Sequence, residues 1–187
     1  MTFTVSSNSF KDGDYLPSDF ILSADFGFGC AGGNKSPHLK WSGVPEGTKS
    51  FAITCFDPDA PTGSGFWHWL VVNIPASVSE LAEGAGSAGG KLPSGALQTR
   101  TDFGAPGYAG PYPPPGDHPH RYLFTVFAVK ADKLDDQDLI AGSADSRSMG
   151  LQAVENIAGK VSRVQLFANQ ISGLISRWFP EWPLGLL

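Results

Sequence analysis

The chain has 187 residues, 41% of them hydrophobic and 17% charged, which predicts one folded domain with a single core. Its 13 basic and 18 acidic residues give a net charge of −5, which argues against a general nucleic-acid-binding protein because phosphate backbones require a basic surface. The first residues carry neither a basic segment nor an apolar core typical of a secretory signal, and no run of about 18 apolar residues occurs. We therefore expect a soluble cytoplasmic protein without stable membrane insertion.

Residues 1–140 are predicted to be mainly β. Their short apolar segments are rich in Phe, Val, Ile and Trp, are flanked by turn residues, and span 51–56, 67–74 and 121–129. Strands do not alternate with helical patterns, so a doubly wound parallel sheet is not expected. Long loops rich in Gly and Pro separate the strands, at 25–37, 57–66, 82–96 and 102–119. Loops longer than about 12 residues in a compact domain are usually functional.

Two carboxylates and a histidine surround one of these loops. Residues 57–73 read DPDAPTGSGFWHWLVVN, with Asp57 and Asp59 on a turn and His68 just ahead of an apolar strand. The prolines fix φ and remove backbone donors, so the turn is rigid and its acids are held in place. An aspartate at a turn often bonds its own backbone two residues on, so each acid taken alone is a turn cap. The alternation of a strand predicts that His68 shares a face with Phe66, Leu70 and Val72.

A second motif has the same design. Residues 110–122 read GPYPPPGDHPHRY and run into the apolar strand LFTVFAV at 123–129. His120 leads this strand and shares a face with Tyr122, Phe124 and Val126. Both motifs therefore place acids and a histidine where a turn meets a buried strand, which predicts a small polar pocket.

The chain changes character near its C-terminal end, which divides a β domain at 1–147 from a segment at 148–187. Apolar residues recur there at helical spacing before two prolines end the pattern: Leu151, Val154, Ile157, Val161, Val164, Ala168, Ile171, Leu174 and Trp178. This predicts an amphipathic helix over 148–178 that belongs to the same globule. Exposing the stripe would cost roughly 1.5–3 kcal/mol for each large side chain. We therefore expect it to pack on the chain's own sheet and to contribute to a homodimer.

The two motifs together resemble the phosphatidylethanolamine-binding protein family, also called Raf-kinase-inhibitor-like proteins, and its bacterial members in particular. The matching text is DPDAP and HWLVVNIP within 57–75 and PPPG followed by HRY within 113–122. Further similarity lies at 36–41, 44–51 and 97–104. The resemblance implies an antiparallel β-sandwich of that type, with long connecting loops and, from the pattern above, a helical C-terminus. The closing turn, short helix and strand of bacterial members are not recognisable in this chain.

The resemblance also implies a ligand pocket and its residues. The ligand-binding residues would be Asp57, His68, His120, Pro113, Pro114 and Tyr122, with Asp59, Pro61 and Arg121 as structural support. Two imidazoles beside a carboxylate suit a phosphorylated headgroup, because a nearby anion stabilises imidazolium, imidazolium donates to phosphate, and Asp57 can meet an ammonium group. The expected function is a ligand-binding module for phosphorylated or other anionic small molecules. Family members modulate kinases or proteases, but no residue here identifies such a partner.

Other functions remain open at this stage. A small hydrolase would use His68 or His120 as general base, oriented by Asp57. No nucleophile motif accompanies these residues, so an enzyme is not expected. His118 and His120 form an H-x-H pair that could bind a metal with His68 or Asp57; the intervening Pro119 argues against this, and no metal or cofactor is expected. Residues 84–89 match G-x-G-x-x-G, but they follow no convincing strand and precede no helix, so they are read as a loop. A third reading is an interaction scaffold with a vestigial pocket.

Overall fold

The computed structural model describes residues 2–134 and the backbone of residues 157–168. The strands in this part of the chain are β1 (Thr4–Ser6), β2 (Leu39–Ser42), β3 (Ser50–Asp57), β4 (Phe66–Pro75), β5 (Glu80–Leu81), β6 (Leu97–Gln98), β7 (His120–Val129) and β8 (Ile157–Ala168). Two short 3₁₀ helices span Ser18–Phe20 and Ala24–Phe26. Within the described residues no helix combines the length and the apolar character needed to span a membrane.

The strands form two antiparallel sheets. A small sheet has the order β1-β2-β5 and a large sheet the order β6-β4-β3-β7-β8. Long loops connect several of the strands, notably between β1 and β2 and between β6 and β7. The mainly β, antiparallel fold with long connections that the sequence predicts is therefore confirmed.

The main core lies between the two sheets. Trp41 of the small sheet is 2% exposed, and its ring centroid lies 5.2 Å from that of Phe51 on β3. Phe51, Ile53 and Cys55 alternate along β3 and all face this core. Burial of each large side chain contributes roughly 1.5–3 kcal/mol, so this cluster dominates the stability of the fold. Ala52 faces a second cluster on the other side of the sheet, so β3 is buried on both faces.

The helix predicted over 148–178 is wrong across residues 157–168, which form strand β8. This strand pairs antiparallel with β7, with Val164 opposite Phe124 and Leu166 opposite Tyr122. The spacing of apolar residues alone did not distinguish a helix from a strand, because the segment also holds β-branched residues that favour a strand. The edge of β7 needs a partner for its backbone groups, and this long-range pairing overrides the local helical pattern. A closing strand is therefore present; the rest of the predicted helix, and the homodimer contact assigned to it, fall outside the described residues.

A bulge in β4 anchors the chain that follows β7. Val72 and Asn73 together lie opposite Ala52 alone, and Asn73 adopts a φ of 58° in the left-handed region. The Oδ1 atom of Asn73 accepts a hydrogen bond from the N–H of Leu134 at 2.8 Å, and Nδ2 donates to the carbonyl of Leu134 at 3.2 Å. The side-chain amide thus makes the two hydrogen bonds that a neighbouring strand backbone would make. Asn also tolerates this φ better than most residues do.

We predict that Asn73→Ala lowers the free energy of unfolding by about 2–3 kcal/mol, because it leaves buried backbone groups of Leu134 unpaired and strains a left-handed residue. Urea denaturation measures this loss. Asn73→Gly, which loses the same hydrogen bonds but adopts the φ freely, should lose about 1 kcal/mol less. A stability of Asn73→Ala within about 0.5 kcal/mol of the parent would contradict the anchoring role.

Candidate functional site

A cavity of about 140 Å³ lies where β3 ends and where β4 and β7 begin. Asp57, His68 and His120 supply its polar side chains from these three strands. Mainly apolar walls surround them, formed by Phe28, Pro61, Phe66, Phe103, Tyr112 and Pro114. The antiparallel pairing brings together residues that are far apart in sequence, because the end of β3 lies beside the starts of its two neighbours. The two sequence motifs therefore meet at one site.

Asp57 and His120 form a buried hydrogen-bonded pair in this cavity. Asp57 is 2% exposed and His120 is 1% exposed, and Asp57 Oδ2 lies 2.8 Å from His120 Nδ1. The other oxygen of Asp57 accepts a hydrogen bond from the backbone N–H of Asp59 at 2.9 Å. Asp57 is therefore both the turn cap that its sequence indicates and the partner of a histidine 63 residues away.

The second ring nitrogen of His120 faces another carboxylate. His120 Nε2 lies 3.2 Å from Asp117 Oδ2. Burial alone would lower the pKa of His120, but the hydrogen bonds to Asp57 and Asp117 outweigh it and raise the pKa above its usual value. Both contacts are hydrogen bonds to carboxylates only when both ring nitrogens donate, so this arrangement favours the protonated form of His120.

His68 reaches the cavity because of a second bulge in β4. Trp69 pairs with Cys55 and Trp67 pairs with Phe56, which leaves His68 without a partner on β3. Trp69 belongs to the core between the sheets, while the rings of Trp67 and Phe56 are tilted against each other with their centroids 4.4 Å apart. The extra residue shifts the alternation by one position at this point.

Because of the bulge, His68 does not share a side of the sheet with all the residues that strict alternation predicts. The ring of His68 contacts Phe66 at 5.2 Å and Tyr122 at 5.1 Å between ring centroids. Leu70 and Val72 instead pack in the second cluster, on the other side of the sheet. The prediction that His68 shares a face with Phe66 is confirmed, and the prediction that it shares one with Leu70 and Val72 is wrong.

The surroundings of His68 fix its charge and its tautomer. Burial lowers the pKa of His68 below its usual value, although hydrogen bonds from the ring to backbone carbonyls act in the opposite direction. Nδ1 lies 2.9 Å from the carbonyl of Ala109 and 3.1 Å from that of Gly110. Carbonyls only accept, so Nδ1 carries the proton in the neutral ring. Nε2 is then left as an acceptor for a ligand.

Tyr122 and Pro113 do not line the cavity, although both were expected among the ligand-binding residues. Tyr122 is fully buried behind His68, and its hydroxyl accepts a hydrogen bond from the N–H of Tyr112 at 3.3 Å. Burial, together with the nearby carboxylate of Asp57, raises the pKa of Tyr122 well above its usual value. Its position makes it a support for the imidazole of His68. Pro114 does line the cavity, as does Pro61, which was expected only as support.

The aromatic wall is the part of the site that the sequence did not predict in full. Phe103 is central to it, with ring centroids 4.9 Å from Phe66, 5.4 Å from His68 and 6.3 Å from Phe28. Phe28 in turn lies 5.2 Å from Tyr112. Phe28 and Phe103 belong to two of the long loops. The length of these loops indicated a functional role for the segments but did not show which side chains line the cavity.

Asp59 and Arg121 join the loop after β3 to the start of β7. Asp59 Oδ2 accepts from the backbone N–H and from Nε of Arg121, both at 2.8 Å, and Oδ1 accepts from Nη2 at 2.6 Å. These hydrogen bonds lower the pKa of Asp59 from 3.8 to about 2. This bidentate ion pair ties the turn after Asp57 to the residue after His120. The supporting role expected for both residues stays a prediction.

We predict that Asp59→Asn lowers the free energy of unfolding by roughly 1 kcal/mol at neutral pH, since half-exposed ion pairs are partly screened. Because the folded-state pKa is depressed, the contribution of the charge is complete above the unfolded value of 3.8 and is lost as pH falls through about 2. Urea denaturation at a series of pH values should show the difference between the two proteins narrowing toward pH 2.

Asp132→Asn is the matched control, because it breaks an ion pair with Lys49 in which Asp132 is 80% exposed. The free energy of unfolding of Asp132→Asn should stay within about 0.5 kcal/mol of that of the parent. Equal stability of Asp59→Asn and the parent at neutral pH would contradict the supporting role, as would a difference that persists unchanged in acid.

Comparisons with known proteins agree on one family. Residues 6–164 match the family model described as phosphatidylethanolamine-binding protein. The chain is 59% identical over 133 residues to the protein YbcL of Escherichia coli, covering 71% of each. It is 52% identical over 137 residues to E. coli YbhB, covering 73% of this chain and 84% of that one.

Solved structures give the same result. The structure of E. coli YbcL superposes with a TM-score of 0.79 at 47% identity, covering 89% of this chain and 98% of that one. A putative phosphatidylethanolamine-binding protein homologue from Chlamydia trachomatis gives a TM-score of 0.69 at 25% identity, covering 90% and 97%. The chain belongs to the phosphatidylethanolamine-binding protein family.

Proposed function

We propose that this protein binds small molecules carrying a phosphate or similar anionic group, such as phosphorylated headgroups, in the cavity between β3, β4 and β7. The observation that carries the proposal is the set of two buried imidazoles and one buried carboxylate beneath apolar walls. Burying a polar group costs free energy unless the group is hydrogen-bonded, so such groups are rarely gathered in the interior. Here three of them line one small cavity, which is typical of a binding site.

The imidazoles offer the hydrogen bonds that such a group needs. His120 Nε2 already points at a carboxylate oxygen of Asp117, whose side chain is 33% exposed. An anionic oxygen of a ligand would take over this hydrogen bond as Asp117 turns toward solvent. Among the described residues, His68 Nε2 has no hydrogen-bond partner, so it can accept from a protonated phosphate oxygen.

The charges around the cavity favour a ligand that also carries a positive group. Asp57 and Asp117 supply two negative charges against the single positive charge of His120. Arg121 adds little, because its guanidinium is paired with Asp59. An ammonium group beside the phosphate would meet the acids, which makes an aminoalkyl phosphate a better ligand than inorganic phosphate.

The cavity favours binding over catalysis. Among the described residues that line it, Thr62 alone carries an aliphatic hydroxyl, and this hydroxyl donates to the carbonyl of Gly65 at 2.6 Å. Both nitrogens of His120 are engaged with acids, so His68 Nε2 is the base that remains, and the Thr62 hydroxyl is already donated to a carbonyl. We therefore infer a binding protein rather than a hydrolase. The described residues name no kinase or protease partner.

We predict that phosphoethanolamine binds the chelator-treated parent protein in isothermal titration and that His120→Ala weakens this binding at least tenfold, since one charge-assisted hydrogen bond is worth about 1.5–3 kcal/mol. Phe103→Ala, which opens the apolar wall, should weaken binding by a smaller factor and guards against a folding defect in the first variant. His38→Gln is the matched control, because His38 lies beside β2 and bonds the N–H of Asn8. Equal binding by parent and His120→Ala, or none by the parent, would overturn the assignment.

A further inference from the structure

Three side chains with metal-binding atoms meet on the turn that precedes β7. They are Asp117, His118 and His120, and one ligand atom from each lies within 4.8 Å of the other two. Asp117 N donates to the carbonyl of Pro114 at 3.1 Å, and Gly116 adopts a φ of 87°. This tight turn folds the carboxylate back toward both imidazoles.

The ligand atoms lie close enough together to converge on one small ion after modest side-chain rotations. Asp117 Oδ2 lies 3.2 Å from His120 Nε2, and Asp117 Oδ1 lies 2.8 Å from His118 Nδ1. Two ligand atoms that each lie about 2.1 Å from one zinc ion at a tetrahedral angle are themselves ~3.4 Å apart. His118 is 65% exposed, so its ring can adjust without disturbing the core.

Asp57 gives this cluster the outer support that metal sites share. A histidine ligand normally donates its second ring N–H to a carboxylate, which fixes the ring and raises its basicity. His120 Nδ1 makes this contact with Asp57 at 2.8 Å, and both side chains are buried. His120 Nε2 therefore points at the turn with a fixed orientation.

Pro119 does not obstruct this arrangement. The objection to the H-x-H pair assumed that both histidines lie on one strand, but β7 begins at His120 and leaves His118 and Pro119 in the turn. Asp57, which the sequence offered as a direct ligand, instead bonds the far side of the His120 ring, and Asp117 takes its place. The cluster thus has a composition that the sequence did not suggest.

We propose that Asp117, His118 and His120 bind a divalent transition-metal ion, with Zn²⁺ as the best fit to two imidazoles and one carboxylate. Three protein ligands leave one tetrahedral position for water or for an oxygen of a bound molecule. His120 also lines the cavity, so the ion would sit at its edge. A metal ion displaces the proton of His120 Nε2, so the ion and a hydrogen bond from this nitrogen to an anionic ligand exclude each other. The inference is therefore independent of the proposed function.

The test is titration of the untagged, chelator-treated full chain with Zn²⁺ in calorimetry, and with Co²⁺ while recording the visible absorption of four-coordinate cobalt. We expect one ion per chain. His118→Ala, which removes an exposed ligand, and Asp117→Asn should each weaken binding at least tenfold. His38→Gln should bind as the parent does, because it removes a histidine outside the cluster.

The absence of zinc binding by the parent would overturn the proposal. Unchanged binding in His118→Ala would do the same, as would loss of binding in His38→Gln. Thermal unfolding gives a second readout, because saturating Zn²⁺ should raise the melting temperature of the parent but not of His118→Ala. A shift of equal size in both proteins would also count against the site.

Discussion

The hydrogen bond between the buried carboxylate of Asp57 and the buried imidazole of His120 is the interaction on which the site depends. Removing His120 would leave the buried carboxylate of Asp57 without its charged partner, and the loss of one partner of a buried pair typically costs 3–5 kcal/mol. The pair forms because the end of β3 lies against the start of β7, so strand pairing supplies the order that two distant residues need. Asp59 and Arg121 make the same connection outside the cavity, with a half-exposed ion pair.

Departures from regular β structure position the remaining polar groups. The bulge at His68 turns its imidazole away from the second cluster and toward Tyr122, where the carbonyls of Ala109 and Gly110 fix the tautomer. The bulge at Asn73 ties the opposite end of β4 to the segment after β7. A regular β4 strand would pack well but would leave one imidazole in the cavity instead of two.

The sequence predicted the sheet class, because Pro-rich turns beside apolar strands are strong local signals. The meeting of Asp57, His68 and His120 was implied by the resemblance of the two motifs to one family. It did not predict the bulge, since alternation is counted from residue to residue and one inserted position reverses the face. It misassigned residues 157–168, because spacing of apolar residues cannot report the free edge of β7. Asp117 was overlooked for a similar reason: a single acid in a turn shows no role until its neighbours in space are known.

Side-chain ¹⁵N NMR of the histidines tests the proposal that His68 and His120 together contact the ligand. In the free protein we expect His68 to be a neutral ring with the proton on Nδ1 and His120 to be an imidazolium. Saturation with phosphoethanolamine should shift the ring nitrogens of both while leaving His38 unchanged. A His68 with its proton on Nε2, or ring signals of His68 and His120 that do not respond to phosphoethanolamine, would rule out this ligand site.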